Sequence, residues 1–334
     1  MSKSLVFITG ATGFIGTHVV AATLKAGYRV RLSIRKAEQE AGLRKRWAEF
    51  NSDIEILVIP DLSNVDSLKA ALYNVDYIFH IASPMPGSGN DLERDYVIPA
   101  VKATLSMLNA ALAHKQIQRV VIVSSLLSLA VPDALISKNV VAKENTGEVI
   151  YVDPEMTFAE GFAGHGLRYA VSKIRAHQAT RDFLKTENPH YKILTLHPSF
   201  VLGEDLNQTT AAGLAGMNNL FYQSLLSEQP RIGNVWAHVR DVADVHVKAL
   251  QADAESGTEF IISHPPVSWE DEAKFVKEKY PSLGCKLQPP FTGGWDVYPT
   301  AAEQILGIKW RSPETIIEDV VNQQLALKAQ EAAV

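Results

Sequence analysis

The sequence predicts an α/β protein, a doubly wound parallel sheet joined to a smaller, mixed C-terminal lobe. Three observations carry that prediction. Through about residue 200, short apolar runs alternate with helix-length amphipathic segments, as a parallel sheet covered on both faces requires. Near the start of the chain one apolar run, Leu5–Thr9, passes straight into glycines at 10, 13 and 16 and then into a helical stretch. Beyond Leu202 the rhythm breaks, Pro and Gly become frequent, and tryptophans stand at 236, 269, 295 and 310.

The first strand and its turn carry the most information. A phosphate at a strand-to-helix turn must be met by backbone rather than by side chains. Gly10 allows the tight turn, Gly13 lets the main chain close on a pyrophosphate, and Gly16 lets the helix pack on the strand, with Thr12, Phe14 and Ile15 lining the same turn. The helix, Phe14 to Ala26 and closed by Gly27, offers unpaired N–H groups and a positive dipole end to the anion. An ordinary glycine-rich turn is the plainer alternative. Strands follow at Arg29–Ile34, Glu55–Ile59, Tyr77–His80, Arg119–Ser124 and Lys192–His197, with helices near Glu38–Glu49, Val65–Leu72, Pro99–His114 and Arg168–Thr186. This predicts a Rossmann-type domain over residues 1–202, rejoined by a return strand near 259–263, and a substrate-binding lobe that takes most of 203–334.

The end of the second strand selects the cofactor. A carboxylate there binds the ribose 2′-hydroxyl of NAD, whereas an arginine accommodates a 2′-phosphate. This strand ends in Ile34-Arg35-Lys36 and offers no acid before Glu38. NADPH is therefore expected, with Arg35 as the main contact and Lys36 as the second, although both could simply be surface charges opening the next helix. Asp61 and Leu62, after the third strand, fall where side chains meet the adenine; Ala82 and Ser83, after the fourth, would lie along the cofactor.

Tyr169 and Lys173 stand four apart in Tyr-Ala-Val-Ser-Lys, so on a helix they share one face. An ammonium beside a phenol favours phenolate, which predicts a tyrosine of lowered pKa able to exchange a proton with a carbonyl oxygen. The lysine can also hold the nicotinamide ribose. A hydroxyl to position that oxygen is expected from Ser125, or failing that Ser124, at the carboxyl edge of the fifth strand. Either serine could instead cap a turn.

These segments together resemble an extended short-chain dehydrogenase/reductase. The resemblance lies in Thr-Gly-Ala-Thr-Gly-Phe-Ile-Gly from Thr9, Phe-His-Ile-Ala-Ser-Pro at 79–84, Val-Ser-Ser at 123–125, Tyr169 with Lys173, His-Pro-Ser-Phe-Val-Leu-Gly at 197–203 and Val-Arg-Asp-Val-Ala at 239–243. The chain is most similar to the dihydroflavonol reductase, cinnamoyl-CoA reductase and yeast-type methylglyoxal reductase branch. That resemblance implies Ser125, Tyr169 and Lys173 as the catalytic triad, Pro198 and Val201 beside the nicotinamide, and transfer of the pro-S hydride to an aldehyde or ketone. Val123 departs from the threonine common in close relatives, and Leu126-Leu127-Ser128 replaces smaller residues. Residues 156–168, with Phe158, Gly161, Phe162, Gly164 and Gly166, read as a mobile edge of the pocket, and His165 within it as a bystander. Phe200, Met217, Phe221, Tyr222, Trp236 and Trp295 are candidate walls for an apolar or aromatic substrate.

Other chemistries lack support. A hydroxysteroid dehydrogenase or a nucleotide-sugar epimerase could use the same triad, although an epimerase normally places an acid where Arg35 stands. A non-catalytic NADP(H) sensor typically lacks the tyrosine–lysine pair. The ten histidines show no His-Glu-x-x-His spacing, and no Gly-x-Ser-x-Gly elbow occurs, so neither a metal nor a nucleophilic hydrolase is expected. The net charge of −5 and the Arg44-Lys45-Arg46 cluster set among glutamates argue against a nucleic-acid partner. The single cysteine and the absence of a long apolar run predict a soluble, cytoplasmic protein, monomeric or homodimeric, acting on a small carbonyl compound.

Overall fold

The strand β1, Leu5–Thr9, is buried at all five residues, and its side chains alternate between two cores, Val6 and Ile8 on one face and Leu5 and Phe7 on the other. Such two-sided burial demands helices on both faces. A computed structural model of the chain describes residues 3–83, 89–137 and 139–333. Pro84, which closes the second motif of the resemblance, and the side chain of Phe162 lie outside what is described.

In chain order the first half comprises β1, α1 (Phe14–Lys25), β2 (Arg29–Ile34), α2 (Gln39–Arg46), β3 (Ile54–Val58), α3 (Val65–Ala71), β4 (Tyr77–His80), α4 (Ile98–Leu112) and β5 (Arg119–Val123). Then come α5 (Pro132–Ser137), β6 (Asn139–Lys143), α6 (Gly161–Glu187), β7 (Lys192–Pro198), β8 (Phe200–Leu202), α7 (Gly216–Leu225), β9 (Trp236–His238), α8 (Val239–Ala249), β10 (Glu259–Ile262), α9 (Trp269–Lys279), β11 (Gly294–Tyr298), α10 (Thr300–Leu306) and α11 (Pro313–Ala332). Seven strands form one parallel sheet in the order β10-β7-β5-β4-β1-β2-β3. The order reverses at β1, between β2 and β4, which is where open α/β sheets take their ligands. Helices α1 and α8 pack together on one face; α3, α4 and α6 cover the other. Each fully buried Val, Ile, Leu or Phe in these layers contributes ~1.5–3 kcal/mol over the exposed state.

The expected strands are present, with ends shifted by a residue at β3, β5, β7 and β10. Helix α6 is a larger departure. It starts at Gly161, so 161–168 form its first two turns rather than a mobile approach. Glycine disfavours helix, but packing overrides that preference here. A Cβ on Gly164 would run into the Ala159 carbonyl, so its bareness lets the incoming chain cross the helix, and His165 is held by Tyr96 at 2.5 Å. Two small parallel sheets, β6 with β11 and β8 with β9, complete the molecule.

Three expected pocket walls prove to be lobe core. Phe221, Tyr222 and Trp236 are buried against α9 and α11, with Trp236 edge-on to Phe221 at 5.2 Å and to Trp269 at 4.9 Å. A three-helix lobe of this size needs such rings to fill its interior. Phe200, Met217 and Trp295 stay half-buried.

Candidate active site

The sheet's switch point is built from glycine. Gly10 takes φ +75°, in the left-handed region, and a Cβ on it would lie 2.8 Å from the Ala82 amide nitrogen. The Ala82 N–H donates to Thr9 Oγ1 at 3.1 Å, fastening the turn after β4, with Ser83, to the end of β1. A Cβ on Gly16 would collide with the Gly10 carbonyl. Gly13 differs: it is exposed, and a Cβ there would approach no atom closer than 3.4 Å. Its bareness serves the space outside the fold. Gly13 opens α1 with no side-chain cap and no acid in the first turn, while Thr12, Phe14 and Ile15 stand half-buried around it. Those are the features of an anion cradle.

At the end of β2, Arg35 and Lys36 are exposed and both backbone N–H groups donate to Gln39 Oε1 at 3.1 Å. Lys36 reaches Glu38 at 3.8 Å, whereas the Arg35 guanidinium has no partner among the described residues. Asp61 is exposed and accepts from the Ser63 N–H and hydroxyl, which hold its carboxyl below the usual range. Leu62 leans on the core beneath α3 and α4. Pro198 is buried at the end of β7, and Val201 is buried on β8.

Below these loops a narrow crevice of mixed polar and apolar lining runs between β4, β5, β7, α4 and α6. Its walls include Ala82, Ser83, Ser124 and Lys173 from the expected set, and His80, His177 and Thr195, which the sequence reading did not single out. On α6, Lys173 Nζ sits 5.5 Å from the centre of the Tyr169 ring. Among the described residues neither the Tyr169 hydroxyl nor the Lys173 ammonium has a hydrogen-bond or ion-pair partner, although Lys173 is only 5% exposed. Burial pushes Lys173 down to about 8 and His80 down to about 4, the latter helped by Lys173 itself. Burial also pushes the Tyr169 phenol up to about 12. This overturns the expected acidic phenol: Lys173 meets the face of the ring, so desolvation sets the direction and the tyrosine keeps its proton.

Ser125 begins the single turn Leu126–Leu129, against which α6 packs. Its Oγ accepts from the Leu127 N–H at 3.2 Å, so the capping role foreseen as an alternative is real, and the hydroxyl proton remains available to donate. The Ser124 hydroxyl donates to Ser128 Oγ at 3.0 Å, and Ser128 meets His197 Nδ1 at 2.9 Å.

Beneath the crevice, α6 carries a polar stripe with a four-residue spacing: Tyr169, Lys173, His177 and Arg181. The lower two converge on Glu259 of β10, His177 Nε2 at 2.9 Å and Arg181 Nε at 2.8 Å, and the Asn145 N–H adds a third donor at 2.8 Å. Burial opposes a charged Glu259, but His177 and Arg181 outweigh it and hold the carboxyl at about 2. The stripe's spacing and the return strand near 259–263 were both present in the sequence; that they meet at Glu259 was not.

The model of the NAD dependent epimerase/dehydratase family matches residues 6–263, from β1 through the end of β10. The chain belongs to that family. Within these extended short-chain dehydrogenases/reductases, it is similar to the ketoreductase sphI of Aspergillus fumigatus, 34% identical over 97% of this chain and 98% of that one. It is also similar to the ketoreductase CTB6 of Cercospora beticola, 32% identical over 100% and 98%. The crystal structure of yeast methylglyoxal/isovaleraldehyde reductase Gre2 with NADPH superposes with a TM-score of 0.81 at 24% identity, covering 97% of this chain and 99% of that one, and shares its fold.

Proposed function

We propose that this protein is an NADPH-dependent carbonyl oxidoreductase, reducing a ketone or aldehyde with an apolar or aromatic body to the alcohol. One observation carries the reading: a phenol and an ammonium one helical turn apart, both without a hydrogen-bond partner among the described residues, beside the crevice at the carboxyl ends of β4 and β5. The residues present fit the cofactor. The Gly10–Gly16 turn and the uncapped start of α1 suit its pyrophosphate, the unpaired Arg35 with Lys36 suits a 2′-phosphate, and no acid stands at the end of β2 to repel it. Asp61 and Leu62 flank the adenine end; Ala82, Ser83, Pro198 and Val201 flank the nicotinamide end.

Bound NADPH supplies the hydride. Ser125, its Oγ already accepting from Leu127, donates its proton toward the substrate oxygen and fixes where negative charge develops. Tyr169, protonated at neutral pH, delivers its proton to that oxygen as the charge appears, which suits reduction. Lys173 holds ribose hydroxyls and places positive charge under the phenol. Phe200 and Trp295, half-buried with ring centres 5.1 Å apart, pack beside Leu126 and Leu129 of the turn after Ser125 and offer an apolar wall for the substrate. The substrate is taken between the cofactor domain, 1–202 with its return strand, and the lobe of 203–334. The same reading places a monomer or homodimer in the cytoplasm.

NADPH consumption over a panel of aldehydes and ketones, with chiral analysis of the alcohols, tests the assignment. Turnover of at least one aryl or branched ketone, lost in Tyr169→Phe, is expected. A panel that leaves NADPH untouched overturns it.

A further inference from the structure

His177 is 5% exposed, and its two ring nitrogens have opposite fates. Nε2 faces Glu259, a carboxylate that only accepts, so Nε2 carries a proton. Nδ1 is buried with no hydrogen-bond partner among the described residues. In the neutral ring that nitrogen is an acceptor, and a buried acceptor left unmatched is costly. His177 lines the same crevice as Lys173, one turn up α6, whose ammonium is a donor equally without a protein partner. The crevice is lined by both polar and apolar side chains and has room for about one water molecule. A donor, an acceptor and a water-sized gap lie in one pocket.

We propose that His177 is a positioning residue for Lys173: its Nδ1 accepts a hydrogen bond from one water held in the crevice, and that water accepts one from the Lys173 ammonium. Glu259 fixes the ring through Nε2, and Arg181 keeps Glu259 in place. The His197 ring, edge-on to His177 at 4.6 Å, closes the far side and is itself tied to Thr195 Oγ1 at 2.8 Å and to Ser128. The groups facing Lys173 are Tyr169 and His177 from its own helix, His80 from β4 and Ser124 from β5; those facing His177 are Glu259, Arg181 and His197. Of these, the His177 Nδ1 is a ring acceptor with no partner among the described residues, and it helps keep Lys173 charged in a pocket whose burial works against that charge. The inference rests on the role proposed above for Lys173.

Two variants separate this role from a purely structural one. His177→Gln puts an amide nitrogen near the position of Nε2, keeping the Glu259 contact while removing the upper acceptor; His177→Asn puts its amide near Nδ1 and gives up Glu259. With His177→Gln, kcat at pH 7.5 is expected to fall about tenfold, with NADPH affinity and melting temperature close to wild type. The alkaline limb of kcat should move about one pH unit lower, the equivalent of one hydrogen bond to a charged group. His177→Asn should melt earlier yet keep the limb where it was. A wild-type limb in His177→Gln, or the same displacement in both variants, overturns the proposal. So does a high-resolution crystal structure of the NADPH-bound enzyme with no water within about 3.2 Å of both nitrogens, whichever variants fold. Tyr169→Phe assayed alongside keeps the two readings apart. If it is inert while His177→Gln is unaffected, only this inference fails; if it is fully active, the reductase assignment fails.

Discussion

Two halves of one helix face follow opposite rules. On the upper turns of α6, Tyr169 and Lys173 are buried or half-buried polar groups that the protein leaves unmatched; one and two turns further on, His177 and Arg181 crowd three donors, with Asn145, onto one carboxylate. A fold that can satisfy polar groups so thoroughly at one end is not short of partners at the other. Unmatched groups above are therefore reserved for something that binds, and matched groups below hold β10 to α6. Substitutions above should cost activity and spare stability; removing the Glu259 carboxylate below should do the reverse.

The largest expected effect tests the upper half. Tyr169→Phe removes one oxygen that makes no hydrogen bond among the described residues, so turnover should drop by at least ~10²-fold while melting temperature and NADPH affinity hold, as steady-state kinetics and a fluorescence titration would record. Glu259→Ala tests the lower half. Leaving Arg181 and His177 without their carboxylate should destabilise the fold by roughly 3–5 kcal/mol, measurable in urea melts. The pH dependence sharpens the same point. Glu259 is held at about 2 against an ordinary glutamate value of 4.5, so its contribution is fully present above pH 4.5 and drains away as pH falls toward 2; the variant should lose that part of the acid sensitivity. Arg35→Ser reaches outside α6 to a third unmatched group and should weaken NADPH binding about tenfold, with NADH binding little changed. The smallest effect has the opposite sign. Lys173→Met abolishes turnover yet should raise the stability of the cofactor-free protein by on the order of 1 kcal/mol at neutral pH, because it removes an ammonium whose folded pKa is depressed to about 8; that gain should vanish above pH 10.5. A cofactor-free Lys173→Met that melts earlier than wild type would break the comparison at its centre.

Local chemistry made much of this readable in advance. A strand entering Gly10, Gly13 and Gly16, an arginine instead of an acid after Ile34, and a tyrosine with a lysine four residues on are all signals contained within a few residues. What escaped depended on distance or on burial. Strands β6 and β11 are short and pair across more than a hundred residues, so neither announces its partner. Trp236 and Phe221 carry the same composition whether they line a pocket or fill a lobe, and only packing decides for the lobe. The start of α6 hides behind Gly161, Gly164 and Gly166, whose helix propensity is poor; of the three only Gly164 has its bareness required by a close approach, that of the Ala159 carbonyl. The direction of the Tyr169 shift depends on which part of the phenol Lys173 meets, which spacing alone cannot give.

Glu259 lies 82 residues beyond His177 along the chain. On a ribosome adding about 5–20 residues per second, α6 emerges several seconds before the strand that neutralises it. During that interval the edge of β7 is unpaired and Arg181 has no counter-charge, so the nascent chain should hold this helix loosely until β10 arrives. The last strand to join the sheet thus times the completion of the active site, and a C-terminal truncation just short of residue 259 should yield an aggregation-prone intermediate rather than a smaller working enzyme.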